Sequence, residues 1–204
     1  MNRRIVVAIT GASGAAYAAR LVEVLRSAGC ELHLTISAAG RDVLKHELGL
    51  EVDLDAFAPA MLSSGAADAE HSARLHYHHF RDLMAPVASG SFRTDGMAVC
   101  PCSCATLGAI VHGTSVNLIH RAAEVHLKER RRLVLVPRET PLSVLHLENM
   151  RRAAEAGAVL LPAMPGFYHR PQTIAELVDF IVGRICDQLG VDHSLSRRWG
   201  ETTA

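Results

Sequence analysis

The chain has no surplus charge: across its 204 residues, 21 Lys and Arg balance 21 Asp and Glu. Net charge therefore points to neither a nucleic-acid nor a membrane partner. No apolar run approaches the ~18 residues of a membrane span. The first strand-like run begins within a few residues of Met1, with no signal-peptide or transit pattern before it. Lysine is nearly absent; Lys45 and Lys128 are the two lysines, and every other basic residue is arginine. The five cysteines (Cys30, Cys100, Cys102, Cys104, Cys186) form no disulfide framework in a chain this long and helical, so a reducing cytoplasm is the expected compartment. Internal repeats and linker-like composition are missing too. With 49% hydrophobic and 21% charged residues, the chain suits one globular domain with a full core.

Strand-like and helix-like stretches alternate. Arg4 to Ile9 reads as a first strand, followed by a helix from Ser13 to about Ser27 that Gly29 stops. "ELHLTIS" alternates as a second strand, and Ser37 caps a helix through about Glu47. Residues 50–80 are the least regular part. "GMAVCP" is a buried strand leading to a helix from Ser103, and "LIHRAAEVHLKERR" is amphipathic. "RLVLVPRE" is a continuous apolar strand of the kind covered on both faces in a parallel sheet. "SVLHLENMRRAAEAG" is a helix ending at Gly157; "AVLLPAMPGFY" gives a last strand and turn, and "TIAELVDFIVGRICDQLG" the closing helix. The order predicts an α/β fold, a doubly wound, Rossmann-like or flavodoxin-like parallel sheet in three αβα layers, as one domain over residues 1–204. Ligands of such sheets sit at the carboxyl ends of the strands. The residues to inspect are then Thr10 to Ser13, Ser37, Pro101 to Thr106, Arg138 with Glu139, and Gly166 to His169.

The turn after the first strand reads Gly11-Ala12-Ser13-Gly14-Ala15-Ala16. A Gly-rich turn facing a helix N-terminus is a phosphate site, but this one is not G-x-G-x-x-G. Ser13 stands where a dinucleotide turn has the glycine that lets backbone approach a pyrophosphate. Its side chain intrudes there and brings a hydroxyl. A single phosphate, or a flavin or substrate edge, suits the turn better. The Tyr-x-x-x-Lys pair of short-chain dehydrogenases is missing: Tyr17, Tyr77 and Tyr168 are followed four places on by Leu21, Arg81 and Gln172. The plain alternative is that small residues close-pack a helix on a strand.

Other constellations each have two readings. Cys100, Cys102 and Cys104 alternate, which in a strand points them to one side and raises a soft-metal site. No second cysteine pair or Cys-His spacing completes a set of four, so structural cysteines are expected. Ser103 and Thr106 are better placed to cap the following helix or touch a ligand. His76, His78 and His79 in "HYHHF" raise zinc, but the stretch is irregular and lacks a carboxylate or cysteine at a recognisable spacing; a solvated loop is expected. "LKERRR" reads as a solvated helix end. Yet Arg121 lies seven residues before Lys128 on the same helical face, and two such cations can grip a phosphate. Arg138 and Glu139 follow a strand; they form a plain ion pair, or an acid that protonates a leaving phosphate beside a cation. Arg184, inside an otherwise apolar helix, needs an anionic partner, a carboxylate or a ligand phosphate. The lone Trp199 sits in a tail that frays unless it docks.

These pieces together resemble the UbiX-type flavin prenyltransferases. The likeness runs through "TGASGAAYAARL", "ISAAGRDVL", "ASGSF", "CPCSCATLGAI", "NLIHRAAEVHLKERRRLVLVPRETP", "HLENM", "GAVLLPAMPGFYHRPQ", "LVDFIVGRI" and "RWGE". It spans nearly the whole chain except about residues 50–80. The resemblance implies a non-redox, metal-independent transfer of a dimethylallyl group from dimethylallyl phosphate to reduced FMN. Bonds form at flavin N5 and then C6, and the prenylated FMN passes to a UbiD-type decarboxylase. It implies FMN at Gly11, Ala12, Ser13, Ser37, Ser103, Cys104, Ala105, Thr106 and Arg138. It also implies the prenyl phosphate at Ser89, Gly90, Arg121, Lys128, Glu139, Tyr168 and Arg184, with Trp199 as an aromatic wall for the allyl cation. On this reading Glu139 is the acid, Lys128 a phosphate-binding cation and Ser13 a relay for the N5 proton. The implied assembly is a dodecamer of trimers with sites completed by neighbouring subunits. Arg132 stands where family members often have Pro, and the segment around His76 to His79 is peculiar to this chain. A rival reading is a flavin-dependent decarboxylase of the peptidyl-cysteine or phosphopantothenoylcysteine type. That reading wants a histidine near the first helix and a Pro-Ala-Ser-Asn-type turn; this chain has "PCSCAT" and no histidine from Met1 to Leu32. A flavin carrier without chemistry is a further rival, against which an acid at Glu139 and a cation at Lys128 both weigh.

Overall fold

Strand β1 (Arg4–Ile9) is hydrogen-bonded on both sides, to β2 (Glu31–Ile36) and to β4 (Gly96–Cys102), and its last five residues are buried. Only β-branched and aliphatic side chains tolerate that position, since both faces are covered. The computed structural model describes residues 3–62 and 74–195. Its sheet has the order β3-β2-β1-β4-β5-β6, every pair parallel, with β3 at Leu75–Tyr77, β5 at Arg132–Pro137 and β6 at Val159–Leu160. Helices α1 (Ala15–Ser27), α2 (Ala38–Leu48) and α6 (Ile174–Leu189) cover one face. There Ile5, Val7 and Ile9 meet Leu21, Leu25, Leu44 and Ile181. Helices α3 (Cys104–Val111), α4 (Leu118–Lys128) and α5 (Val144–Glu155) cover the other, where Val6 and Ala8 meet Leu107, Ile119 and Ala122. The three-layer doubly wound fold is the one expected.

The differences are local and have physical causes. The first helix begins at Ala15 rather than Ser13, because Gly14 turns the chain at φ 122° and caps it. β3 lies within the stretch expected to be irregular; three residues are too few to show a period. The expected last strand is reduced to Val159–Leu160, although Leu161 N and Ala163 N still donate to the Leu135 and Pro137 carbonyls of β5; Pro162, between them, falls on the open edge, where a strand tolerates it. The three alternating cysteines do not share a side. Cys100 packs in the core with Ile5 and Val7, whereas Cys102 packs with Val6 and Ala8. The β4–β5 register shifts between Val99 and Cys102, and a one-residue slip turns a side chain to the other face. Both thiols are fully buried, and burial pushes their pKa values up; they behave as small hydrophobes.

Helix α2 packs closely on β1 through Gly40, where a Cβ would collide with the Ile9 carbonyl oxygen. Backbone there cannot yield without moving the Ser37 turn. Gly40→Ala should therefore destabilise the protein by about 1–3 kcal/mol. A wild-type melting temperature in the variant would show that α2 is not seated this tightly.

Candidate active site

The strand order reverses between β1 and β4, and in such sheets the crevice opens where it does. Here the buried Thr10 hydroxyl ties the two strand ends together. Thr10 Oγ1 donates to the Pro101 carbonyl at 2.8 Å and accepts from the Ser103 N–H at 2.8 Å. The knot places Gly11 to Ser13 beside the turn from Ser103 to Thr106. Ser103 caps α3 as expected: its Oγ accepts from Thr106 N at 3.2 Å and donates to Thr106 Oγ1 at 3.0 Å. Ser37 caps α2, accepting from Gly40 N at 2.9 Å, and keeps its hydroxyl proton for another acceptor. Gly11, Ser13 and Ala105 are exposed on this rim, and Ala12 is buried under it.

The α1 N-terminus holds an anion of the protein's own. Glu47 Oε2 accepts from Gly14 N at 2.9 Å and Ala15 N at 2.8 Å. Burial alone would raise the Glu47 pKa. Bonds from the Ser13 hydroxyl and the two amides, together with the Arg138 charge, outweigh that and hold it below the ordinary value. The helix end thus has no vacancy for a pyrophosphate, which agrees with the intruding Ser13 side chain. Glu47 escaped the sequence reading. One signal was present: an acid in the last turn of α2 opposes the helix dipole, so it is placed there for something outside that helix.

Arg138 and Glu139, just past β5, are not an ion pair with each other among the described residues. Arg138 Nε donates to the Ser13 carbonyl at 3.4 Å, and Glu139 Oε1 accepts from Thr140 N at 3.0 Å. The Cys104 thiol is raised by burial and by the Glu139 charge, which places that carboxylate beside the α3 turn and keeps the thiol neutral.

The other expected residues stand elsewhere. Arg121 Nε donates to the Ala88 carbonyl at 3.1 Å. A Cβ on Gly90 would run into Lys128 and Glu129, whose side chains form an ion pair. Arg131, singled out only as part of a charge run, donates to the carbonyls of Phe92, at 2.7 Å, and Gly90. Ser89, Gly90, Arg121 and Lys128 thus form one basic patch along α4. Lys128 precedes β5 and Glu139 follows it, so the strand, at roughly 3.3 Å per residue, holds them about 20 Å apart. One subunit does not bring these two groups together. Tyr168 follows β6 at the carboxyl end of the sheet, its ring edge-on to Phe180 at 5.8 Å. Arg184, one turn beyond Phe180, is not on the buried side of α6; its side chain is 53% exposed and pairs with Asp187 at 2.9 Å. Trp199 lies outside the described residues.

A flavin prenyltransferase UbiX from Halalkalibacterium halodurans is 49% identical over 195 residues, covering 96% of this chain and 92% of the relative. The chain belongs to the UbiX flavin prenyltransferase family. The broader flavoprotein family matches residues 1–186. Among solved structures, AnUbiX (PadA1) in complex with FMN and dimethylallyl pyrophosphate superposes with a TM-score of 0.86 at 43% identity, covering 100% of both chains. A dodecameric FMN-dependent UbiX-like decarboxylase from Escherichia coli O157:H7 gives a TM-score of 0.82 at 39% identity, covering 97% of this chain and 100% of that one.

Glu47 yields a pH prediction. Its folded pKa is depressed, so its contribution is present above the ordinary carboxylate pKa and fades as pH falls through the folded value. Glu47→Gln keeps an acceptor but loses the charge. It should cost about 0.3–1 kcal/mol at neutral pH and flatten the acid limb of the thermal-stability profile. Superposable profiles would remove the carboxylate from the turn.

Proposed function

We propose that this chain transfers a dimethylallyl group from dimethylallyl phosphate to reduced FMN, at N5 and then C6, and that the product serves a UbiD-type decarboxylase. The observation that carries the reading is the delivery of Arg138 and Glu139 to the crevice edge beside Ser13, in a chain of this family. An isoalloxazine needs a rim of small residues, hydroxyls for its ribityl chain and phosphate, and a cation near its carbonyl edge. Gly11, Ala12 and Ala105 supply the first, Ser37, Ser103 and Thr106 the second, and Arg138 the third; Ser13 and Cys104 complete the rim. The fit is to FMN rather than a dinucleotide, because Glu47 already fills the α1 N-terminus.

An allylic phosphate leaves as an anion, so cations and an acid must stabilise it. Glu139 is the acid, and Ser13, hydrogen-bonded to Glu47, relays the N5 proton. Lys128 and Arg121, with Ser89 and Gly90, bind the phosphate from a neighbouring subunit; Tyr168, Arg184 and Trp199 enclose the prenyl group. The separation along β5 supports this division of labour. So do exposed apolar side chains on α5 and before α6, with Val144 82%, Leu145 75% and Phe167 70% exposed, which suit burial in an oligomer. The E. coli neighbour's dodecamer is the assembly we assign to this chain. All five cysteines are free, and no described helix is long and apolar enough to cross a membrane; the cytoplasm fits both.

The test is anaerobic incubation with reduced FMN and dimethylallyl phosphate, then mass spectrometry of the flavin. A flavin heavier by one isoprene unit is expected; unmodified flavin, together with release of CO2 from a peptidyl-cysteine substrate in a parallel incubation, would favour the decarboxylase reading instead. Glu139→Gln should slow single turnover by roughly 10²–10⁴-fold with FMN affinity near wild type. Lys128→Ala should leave melting and FMN binding unchanged but weaken dimethylallyl phosphate binding roughly ten- to hundredfold, as loss of a charge-assisted contact worth ~1.5–3 kcal/mol would. An unchanged substrate dependence removes Lys128 from the site.

A further inference from the structure

The histidine-rich segment is not the solvated loop expected from the sequence. His76 lies in edge strand β3, in register with the buried His33 of β2. Glu31, two residues before His33, shares its face of the sheet. We propose that Glu31, His33 and His76 form a binding site for one divalent transition-metal ion, of which Zn2+ is the probe, clamping β3 to β2.

The donor atoms already converge. Glu31 Oε1 is 3.0 Å from His33 Nε2 and 4.0 Å from His76 Nε2, and all three ligand atoms lie within 4.8 Å of one another. A tetrahedral ion with bonds of about 2.0–2.1 Å holds its ligands about 3.3 Å apart, so small side-chain adjustments close the cage. The rings of His33 and His76 stack with centroids 4.9 Å apart. Two imidazoles and a carboxylate favour zinc-like ions over magnesium or calcium.

The surroundings are those of a built ligand set. His33 is 5% exposed, with the edge of Phe92 at 5.0 Å. Its Nδ1 is 2.9 Å from His78 Nε2; in the metal-bound form the His33 proton sits on Nδ1 and is donated to that nitrogen, which leaves the Nε2 lone pair to the ion. Arg4 grips Glu31 through two bonds, at 2.8 and 3.1 Å. That fork orients the carboxylate but brings a positive charge. Asp95, which accepts the Arg4 backbone N–H at 2.7 Å and acts on its guanidinium, offsets it. His76 is 48% exposed and leaves an approach for the ion and a fourth position for water. The site stands at the amino end of β2, while the flavin rim begins at Ser37 past its carboxyl end, so the clamp is separate from the transfer chemistry.

The experiment titrates tag-free protein with Zn2+ against a chromophoric chelator, and with Co2+ by optical spectroscopy. One ion per chain is expected, with a Co2+ spectrum lacking a thiolate charge-transfer band and a rise in melting temperature on Zn2+ addition. His76→Ala removes an exposed ligand without opening the core; it should weaken binding by at least about tenfold and abolish the thermal shift while melting as wild type without metal. No bound ion, a thiolate band, or equal affinity in His76→Ala would each overturn the proposal.

Discussion

The hydroxyl of Thr10 is the tie on which the flavin end of the molecule depends. Where β1 and β4 part, Thr10 N still donates to the Pro101 carbonyl at 3.2 Å, and the Thr10 side chain adds to that bond at the mouth of the crevice. Thr10 Oγ1 answers one carbonyl and one amide at 2.8 Å each, and the side chain is 1% exposed. Two turns are thereby locked in one geometry: the small-residue turn of Gly11 to Ser13, and the turn of Ser103 to Thr106. Glu47 then reaches across from α2 to hold the start of α1. A site made of turns gains the rigidity of the sheet beneath it, which is what an electrostatic catalyst requires.

The second constraint is polarity. A parallel sheet sends every strand's carboxyl end the same way, so a residue before a strand and one after it face opposite ends of the molecule. Lys128 and Glu139 flank β5 in this manner, and Arg131 and Arg121 shape the basic loop around Gly90 far from the crevice. On the proposed function, a leaving phosphate needs both an acid and a cluster of cations, and it would be served where the basic end of one subunit meets the crevice of another. Exposed aliphatic side chains, Val144 and Leu145 among them, would give that meeting a hydrophobic driving force.

Much of this was legible in the chain. Continuous apolar runs marked β1, β4 and β5, and Ser37 and Ser103 declared themselves as caps by type and place. Even the separation of Lys128 from Glu139 is written in "KERRRLVLVPRE", once the middle is read as a strand. What stayed hidden depends on contacts across the sheet. Glu47 finds the α1 turn only because α2 packs beside it. His33 meets His76 only through a three-residue edge strand too short to show alternation. Cys102 changes face because of a register shift no spacing reveals. The family resemblance named the proposed site residues as a set but did not say which of them one subunit holds together.

The most direct measurement is complementation between two impaired variants, assayed at a dimethylallyl phosphate concentration too low for Lys128→Ala to turn over. Glu139→Gln and Lys128→Ala chains carrying different affinity tags are coexpressed, and oligomers containing both are isolated by tandem purification. If each site takes Glu139 from one subunit and Lys128 from its neighbour, random mixing leaves about one site in four intact across a symmetric ring, and prenyl transfer recovers to about that fraction of wild type. Mixed oligomers as inactive as either parent would contradict the account, since they would place both residues of a working site in the same chain.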